Sequence, residues 1–291
     1  MAASNVPRLR YGSPCLTKLN RLGWTDGLAF RAFGARVGIR VSDASVLDRV
    51  ESLLPPCWKP AKSRVVDRLY SLRVGGDVPH SRIRRYHLLY ADIRRIGRSM
   101  DLEETLELLA SDMQLYVAEA SPTRVFTHAG VVGWRGRAVV FPGRTFSGKT
   151  TLVAALIKAG ATYYSDEYAV FDAQGRVHPY PRPLSIRDGK GDRFGSYTAE
   201  ELGGSVGSRP LPLGLVVVSE YKPGARWRPR ALSPGQATLT LLANTVSARL
   251  RPKAALSTLR RSLRHVPVLT GSRGEAEDFV QTVLSLLNEA A

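Results

Sequence analysis

One eight-residue stretch limits what this chain can be more than any other: Gly143-Arg144-Thr145-Phe146-Ser147-Gly148-Lys149-Thr150. It fits the pattern G-x-x-x-x-G-K-[S/T]. Its glycines let backbone N–H groups turn toward a phosphate chain, its lysine supplies a point charge, and its final hydroxyl can ligate Mg²⁺. Such a loop needs a strand to launch it and a helix to receive it. Ala138–Phe141 is an apolar run of strand type, and Thr150–Ala159 reads as a helix closed by Gly160 just past its end. The helix N-terminus adds its partial positive charge to the site. The expected nucleotide-binding residues are Gly143, Arg144, Thr145, Phe146, Ser147, Gly148, Lys149, Thr150 and Thr151.

Two further features lie at telling intervals. Ser165-Asp166-Glu167 follows Lys149 by seventeen residues and ends a short strand, Tyr163–Ser165. Taken alone, adjacent carboxylates in a turn are ordinary solvated surface. Behind a phosphate loop, one short helix and a returning strand bring them back to the phosphates. There one carboxylate can accept a proton and the other can hold Mg²⁺. His128 precedes Lys149 by twenty-one residues, in the strand Val125–Trp134. A lone strand histidine is usually structural; the other reading points it at the phosphates or at Asp166.

Together, His128-Ala129-Gly130-Val131, the Gly143–Thr150 loop, the helix end at Ala159-Gly160-Ala161 and Ser165-Asp166-Glu167 resemble the catalytic domain of the HPr kinase/phosphorylase family. The resemblance covers residues 123–190 well and the rest of the C-terminal half weakly. It implies an α/β fold, a P-loop kinase domain with a mixed sheet and flanking helices. That fold is also similar to the nucleotide domain of phosphoenolpyruvate carboxykinase. It implies that Asp166 is the general base toward an acceptor serine, that Glu167 stands for the family's second aspartate, and that His128 sits against that pair. Lys149 and Thr150 keep their phosphate and Mg²⁺ roles, so the implied catalytic residues are Asp166, His128 and Lys149, and the metal ligands Thr150 and Glu167. The family's Glu-x-Arg-Gly-x-Gly signature is met only by Ser185-Ile186-Arg187-Asp188-Gly189-Lys190, with Ser185 in place of the glutamate. The run Pro181-Arg182-Pro183-Leu184-Ser185-Ile186-Arg187 is closer to diverged relatives, some of which act on peptide precursors. Arg182 and Arg187 are expected phosphate or substrate contacts, guanidinium groups being suited to clamping a phosphoryl group. Asn244 and Arg249 lie in a helix that the family also places near its site.

Charge bears on the partner. Lys and Arg number 42 against 25 Asp and Glu, a formal net charge of +17. Residues 182–264 carry 15 basic and 5 acidic side chains, a net of +10. Such a field suits an anionic ligand, an acidic protein or a nucleic acid. A phosphate loop with adjacent carboxylates favours the first two, so nucleic acid is not the expected partner. The implied cofactors are ATP and Mg²⁺, and the implied partner is an acceptor protein or peptide with a hydroxyl side chain. A small-molecule kinase or ATPase, and a nucleotide-sensing protein without transfer, stay open as alternatives, as does a homo-oligomer. No apolar run approaches the ~18 residues of a membrane span. Two distant cysteines, Cys15 and Cys57, in no metal-binding pattern suit a cytoplasmic protein without a zinc site.

The chain is expected to divide near residue 123. A small α/β domain covers 1–122, with a flexible arm over residues 1–25, and the kinase-like domain covers 123–291. Strands are expected at Ala35–Val41, Arg68–Val74 and Tyr86–Ile93, and helices at Ala44–Leu54 and Asp101–Ala118, the latter capped by Asp101. In the second half, Val125–Trp134 and Ala138–Phe141 form a hairpin, with strands following at Tyr168–Phe171 and Val177–Tyr180. Leu184–Ser208 reads as a long mobile loop. Gly214–Glu220 is a buried strand, Pro234–Ala248 and Ala254–Arg264 are helical, Val266–Leu269 is a strand, and Gly274–Asn288 is a terminal amphipathic helix.

Overall fold

The structure, a computed structural model, describes residues 6–10, 14–77, 84–143, 148–187 and 194–289. The chain divides into two compact units, Met1–Pro122 and Thr123–Ala291. Both mix helices with sheets.

In the first unit, strands β1 (Asp26–Ala32), β2 (Ala35–Val41), β3 (Arg68–Arg73), β4 (His87–Ala91) and β5 (Arg94–Ser99) form a sheet. Its order is β5-β4-β3-β2-β1, extended by the short strand Lys59–Pro60. Only β2 and β3 run parallel. Two helices serve it, α2 (Leu47–Ser52) and α3 (Leu102–Ala120). Leu106, Leu109, Met113 and Val117 repeat at helical spacing along α3 and pack on Val37, Ile39, Val41, Leu72 and Leu89. Asp101 caps α3 by accepting from Glu103 N at 2.8 Å, a contact worth about 1 kcal/mol.

The second face of this sheet is covered by part of the chain that was expected to be an arm. Pro7 lies on Gly27 and Gly38, where a Cβ on either would come within 2.6 Å of its ring. Arg8 N donates to Arg64 O. Arg40, 3% exposed, points to this face. It donates to Ser71 Oγ at 2.8 Å and to Asn20 Oδ1 at 2.6 Å, at the end of helix α1 (Pro14–Asn20). Trp24 covers the guanidinium at 4.5 Å. Alternation in β2 turns Arg36, Gly38 and Arg40 away from α3, and the chain before Thr25 is what covers them. Residues 1–5 and 11–13 of that expected arm lie outside the described residues.

The second unit is built on a ten-residue strand, β6 (Val125–Trp134), that serves three neighbours. It turns at Arg135-Gly136 into β7 (Arg137–Pro142). Its outer half pairs with β8 (Thr162–Ser165) and its first half with β9 (Tyr168–Phe171). Beyond β9 lies β10 (Arg176–His178), which reaches β13 (Leu211–Tyr221). Strand β13 runs parallel to both β7 and β14 (Val268–Arg273). Along β7, Val139 and Phe141 face helices α4 (Lys149–Lys158) and α7 (Ala276–Glu289). Ala138 and Val140 face α5 (Pro234–Ala243) and α6 (Pro252–Ser262). The strands are thus sandwiched between two pairs of helices, which explains their near-continuous apolar runs. Helix α4 ends as its sequence predicts: Gly160 takes φ +94° and its N–H bonds Ile157 O, while Ala161 N bonds Leu156 O.

Two expectations need correction here. The helix expected over Pro234–Ala248 stops at Ala243, because Thr245 turns extended and bridges to Thr127 of β6. The Thr127 and Thr245 hydroxyls bond at 2.8 Å, and His128 N donates to Asn244 O. Nor is Leu184–Ser208 one mobile loop. Strands β11 (Leu184–Arg187) and β12 (Phe194–Tyr197) form a hairpin, and Leu184 is fully buried. Residues 205–207 are strapped to Tyr163 by two backbone bonds of 2.7 and 2.8 Å. The residues between the two strands, 188–193, lie outside the described residues.

Candidate phosphate site

Gly143, Lys149, Thr150, Asp166, Glu167 and His128 come together at one end of the β6–β7–β8 strands. Strand β7 delivers Gly143, whose N–H is held by His128 O at 3.2 Å. Arg144, Thr145, Phe146 and Ser147 lie outside the described residues. The chain is described again at Gly148, which holds φ +76° as the N-cap of α4. The first ladder bond of the helix runs from Leu152 N to Gly148 O. The N–H groups of the turn before it therefore face out of the helix end, and no carboxylate occupies that turn. Close packing sets the helix in place: a Cβ on Gly130 of β6 would meet Val153 at 2.7 Å. Thr151 lies exposed on the first turn.

The two carboxylates stand on a turn fixed by Ser165. Its buried Oγ accepts from Glu167 N at 3.1 Å and from Tyr168 N at 2.9 Å. Glu167 O in turn takes Ala129 N. This rigid turn carries Asp166 to α4, where Thr150 Oγ1 donates to Asp166 Oδ2 at 3.2 Å. The other carboxylate oxygen lies 3.1 Å from Tyr163 Oη, which is also 2.8 Å from Arg182 O. One phenolic proton serves one of these acceptors at a time. Burial pushes the Asp166 carboxyl above the usual range, against hydrogen bonds from Tyr163 and Thr150 that pull it down. Repulsion by Glu167 is not among the causes. Glu167 is also raised by burial, partly offset by Arg182, with Asp166 adding a smaller rise.

The remaining candidates separate. Lys149, half-buried at the helix start, has its pKa lowered by burial and partly restored by Asp166. His128 lies between the loop and the carboxylate turn. Burial and then Lys149 hold its pKa below the ordinary value, while a hydrogen bond to the Glu167 backbone raises it. Its ring leans on Tyr168 at 4.8 Å. Its described contacts are thus with the Glu167 backbone and Tyr168. Arg182 joins the site through Glu167 Oε2, at 3.3 Å. The Arg187 side chain lies outside the described residues, and Ser185 is exposed on β11.

Sequence reasoning missed one residue. Arg273, at the end of β14 and 2% exposed, donates to Gly148 O at 2.9 Å and to Gly274 O at 3.0 Å. Its Nε has no partner, and burial lowers its pKa. A Cβ on Gly148 would come within 2.7 Å of this guanidinium. The loop glycine therefore answers to φ and to the space Arg273 occupies. The signal was weak: Thr270-Gly271-Ser272-Arg273 carries no apolar residue, and the strand was expected to end at Leu269.

Among the described residues no set of three or more His, Cys, Asp or Glu side chains is placed to hold a metal alone. A divalent ion here would need phosphate oxygens among its ligands, with Thr150 and Asp166 beside it. An ion there would relieve the cost of the Asp166 carboxylate, whose pKa burial raises against hydrogen bonds from Tyr163 and Thr150 and a weaker pull from Arg182. No helix among the described residues is long and apolar enough to cross a membrane. Compared with protein-family models and with curated proteins, the chain matches none.

Proposed function

We propose that this chain is a P-loop phosphotransferase of the HPr kinase type, moving the γ-phosphoryl group of Mg·ATP to a hydroxyl, preferably a serine, of a protein or peptide. The observation that carries the reading is the 3.2 Å contact between Thr150 and Asp166 at the N-terminus of the helix that follows the Gly143–Thr150 motif. A phosphate-loop hydroxyl and a carboxylate of raised pKa share one spot, where a metal and a proton acceptor are both required. The phosphates lie on the loop and the first turn of α4, with Lys149 as counter-charge. Bound Mg²⁺ would neutralise the phosphates beside Thr150, with Glu167 in reach of the same region. Asp166 accepts the acceptor's proton, and its setting suits the task. Protonated on Oδ1, it can donate to Tyr163 Oη while Tyr163 donates to Arg182 O, so the proton is held without an orphaned donor. His128 is kept neutral and positions the Glu167 backbone. A reducing, cytoplasmic setting belongs to the same proposal and agrees with the unpaired thiol of Cys57.

Ser185, where the resemblance calls for a glutamate, favours a second reading: a nucleotide-binding protein without transfer. Incubation with γ-labelled ATP and proteins of the same cell separates the two. Label on a protein, lost with Lys149→Ala, supports transfer. ATP binding without turnover supports the second reading.

A further inference from the structure

Far along the sequence from the phosphate loop, α5 and α6 leave a cavity of about 890 Å³ between them. Its walls carry Leu239 from α5 and Leu256 from α6, which are 64% and 40% exposed. Arg260 and Arg261, and Arg264 just beyond the helix, complete the wall on the α6 side. The charge is one-sided on a larger scale. Between Glu220 and Glu275 the sequence has no carboxylate and eleven Lys or Arg residues. The neighbouring turn Asp172–Arg176 brings one carboxylate to α6, with Ala173 O accepting from Arg261. That carboxylate, Asp172, is 2% exposed and held by Arg176 and His178. It is not available to neutralise the groove.

We infer that this groove docks an acidic, leucine-bearing helical segment of the protein that presents the acceptor hydroxyl. Two exposed leucines lining one concave site want apolar side chains, and a volume of this size has room for two or three of them. The arginines want carboxylates on either side of that apolar seam. A helix with apolar residues at i, i+4 and i+7 and glutamates between them meets both demands. A flat lipid surface would leave the cavity unfilled, and a duplex would leave the leucines uncovered. The identification of the partner as the acceptor rests on the kinase reading; docking itself does not, and it is measured without nucleotide.

The probe is a fluorescein-labelled helical peptide of about 16 residues, long enough to span two helices side by side, with leucine at those three positions and glutamate elsewhere. Fluorescence anisotropy at low salt should show saturable binding, weakened about tenfold or more by Leu239→Asp and by Arg260→Glu with Arg264→Glu. All three positions are exposed, so the variants should fold. A control peptide with serine for leucine should also bind about tenfold more weakly. Equal binding of the serine peptide, no saturable binding, or no change in the groove variants overturns the inference. So does tighter, groove-dependent binding of a DNA duplex or of anionic vesicles. Mg·ATP affinity is measured on the same proteins. In the wild-type protein, absent peptide binding with ATP binding intact sinks the docking site, and absent ATP binding with peptide binding intact sinks the kinase reading; the groove variants should keep the wild-type ATP affinity.

Discussion

The two units treat charge near their sheets in opposite ways. In the first unit two strand arginines are matched by carboxylates, while a third, Arg40, is buried against neutral groups with its pKa lowered to about 10. Arg36 grips Asp67 through two bonds of 3.0 and 2.9 Å, Arg68 meets Asp92 at 2.9 Å, and Arg40 has Ser71, Asn20 and the Trp24 face. In the second unit, burial shifts the pKa values of the charged groups at one end of the strands, even where Arg182 meets Glu167 at 3.3 Å. Asp166 and Glu167 sit with raised pKa values, Lys149 and His128 with lowered ones, and Arg273 bonds only carbonyl oxygens. Exposed or half-exposed pairs hold a shape; a cluster of partly buried groups with shifted pKa values is a candidate ligand site. The contrast agrees with the proposal that the functional site belongs to the second unit.

The largest expected effect falls on Asp166. Asp166→Asn keeps size and most hydrogen bonds but cannot take a proton at neutral pH. Transfer from γ-labelled ATP should fall by about 10²–10⁴ while ATP binding survives. Near wild-type transfer would end the general-base assignment. Next is Lys149→Ala, which should weaken ATP binding by ~2–3 kcal/mol in a calorimetric titration through loss of a charge-assisted contact. Unchanged affinity would remove the phosphate-loop assignment.

The same deletion in the first unit should act on stability instead. Asp92 takes Leu69 N at 2.9 Å as well as Arg68, so Asp92→Ala should destabilise by about 1–3 kcal/mol in urea while ATP affinity stays unchanged. A loss of nucleotide binding there would blur the contrast between the units. Arg273 tests it from the other side. Arg273→Met keeps the apolar stem and frees Gly148 O, and should lower ATP affinity by about three- to tenfold, or ~1 kcal/mol. An unchanged affinity combined with a large fall in melting temperature would make Arg273 a structural residue of the first unit's kind.

How much of this could be read in advance differs with the kind of information. Local signals survived: the caps of α3 and α4, the turn at Arg135-Gly136 and the strands flanking the loop all follow from short-range chemistry. Long-range pairing did not. Pro7 packs on Gly27 and Gly38 because both lack a side chain, a fact invisible until β1 and β2 are side by side. Thr245 breaks its helix to meet Thr127, more than a hundred residues away. The Thr150–Asp166 contact was foreseeable from the interval between them; Arg273, in a polar strand end far down the chain, was not.

The smallest effect is the most specific to this comparison. A carboxyl whose pKa is raised by folding binds its proton more tightly in the native than in the unfolded state. Its destabilising contribution is absent below the unfolded value and grows as pH rises through the folded one. Asp166 and Glu167 have this sign. Asp172 has the other: burial raises it, but His178 and Arg176 outweigh burial and hold it low, so its stabilisation is lost as pH falls through that lowered value. The total stability curve therefore mixes both signs, and the difference between wild type and Asp166→Asn isolates one. Without Mg²⁺ or ATP, the variant should melt higher than wild type at neutral pH, by about 2–4 °C. The gap should begin to close as pH falls through the native Asp166 value and vanish below the unfolded one. Mg·ATP should shrink the gap at neutral pH, because a cation beside Thr150 removes the reason the carboxylate is unfavourable. A gap that ignores pH would mean that ionisation of Asp166 is not what costs stability, and the origin of the difference would have to be sought elsewhere.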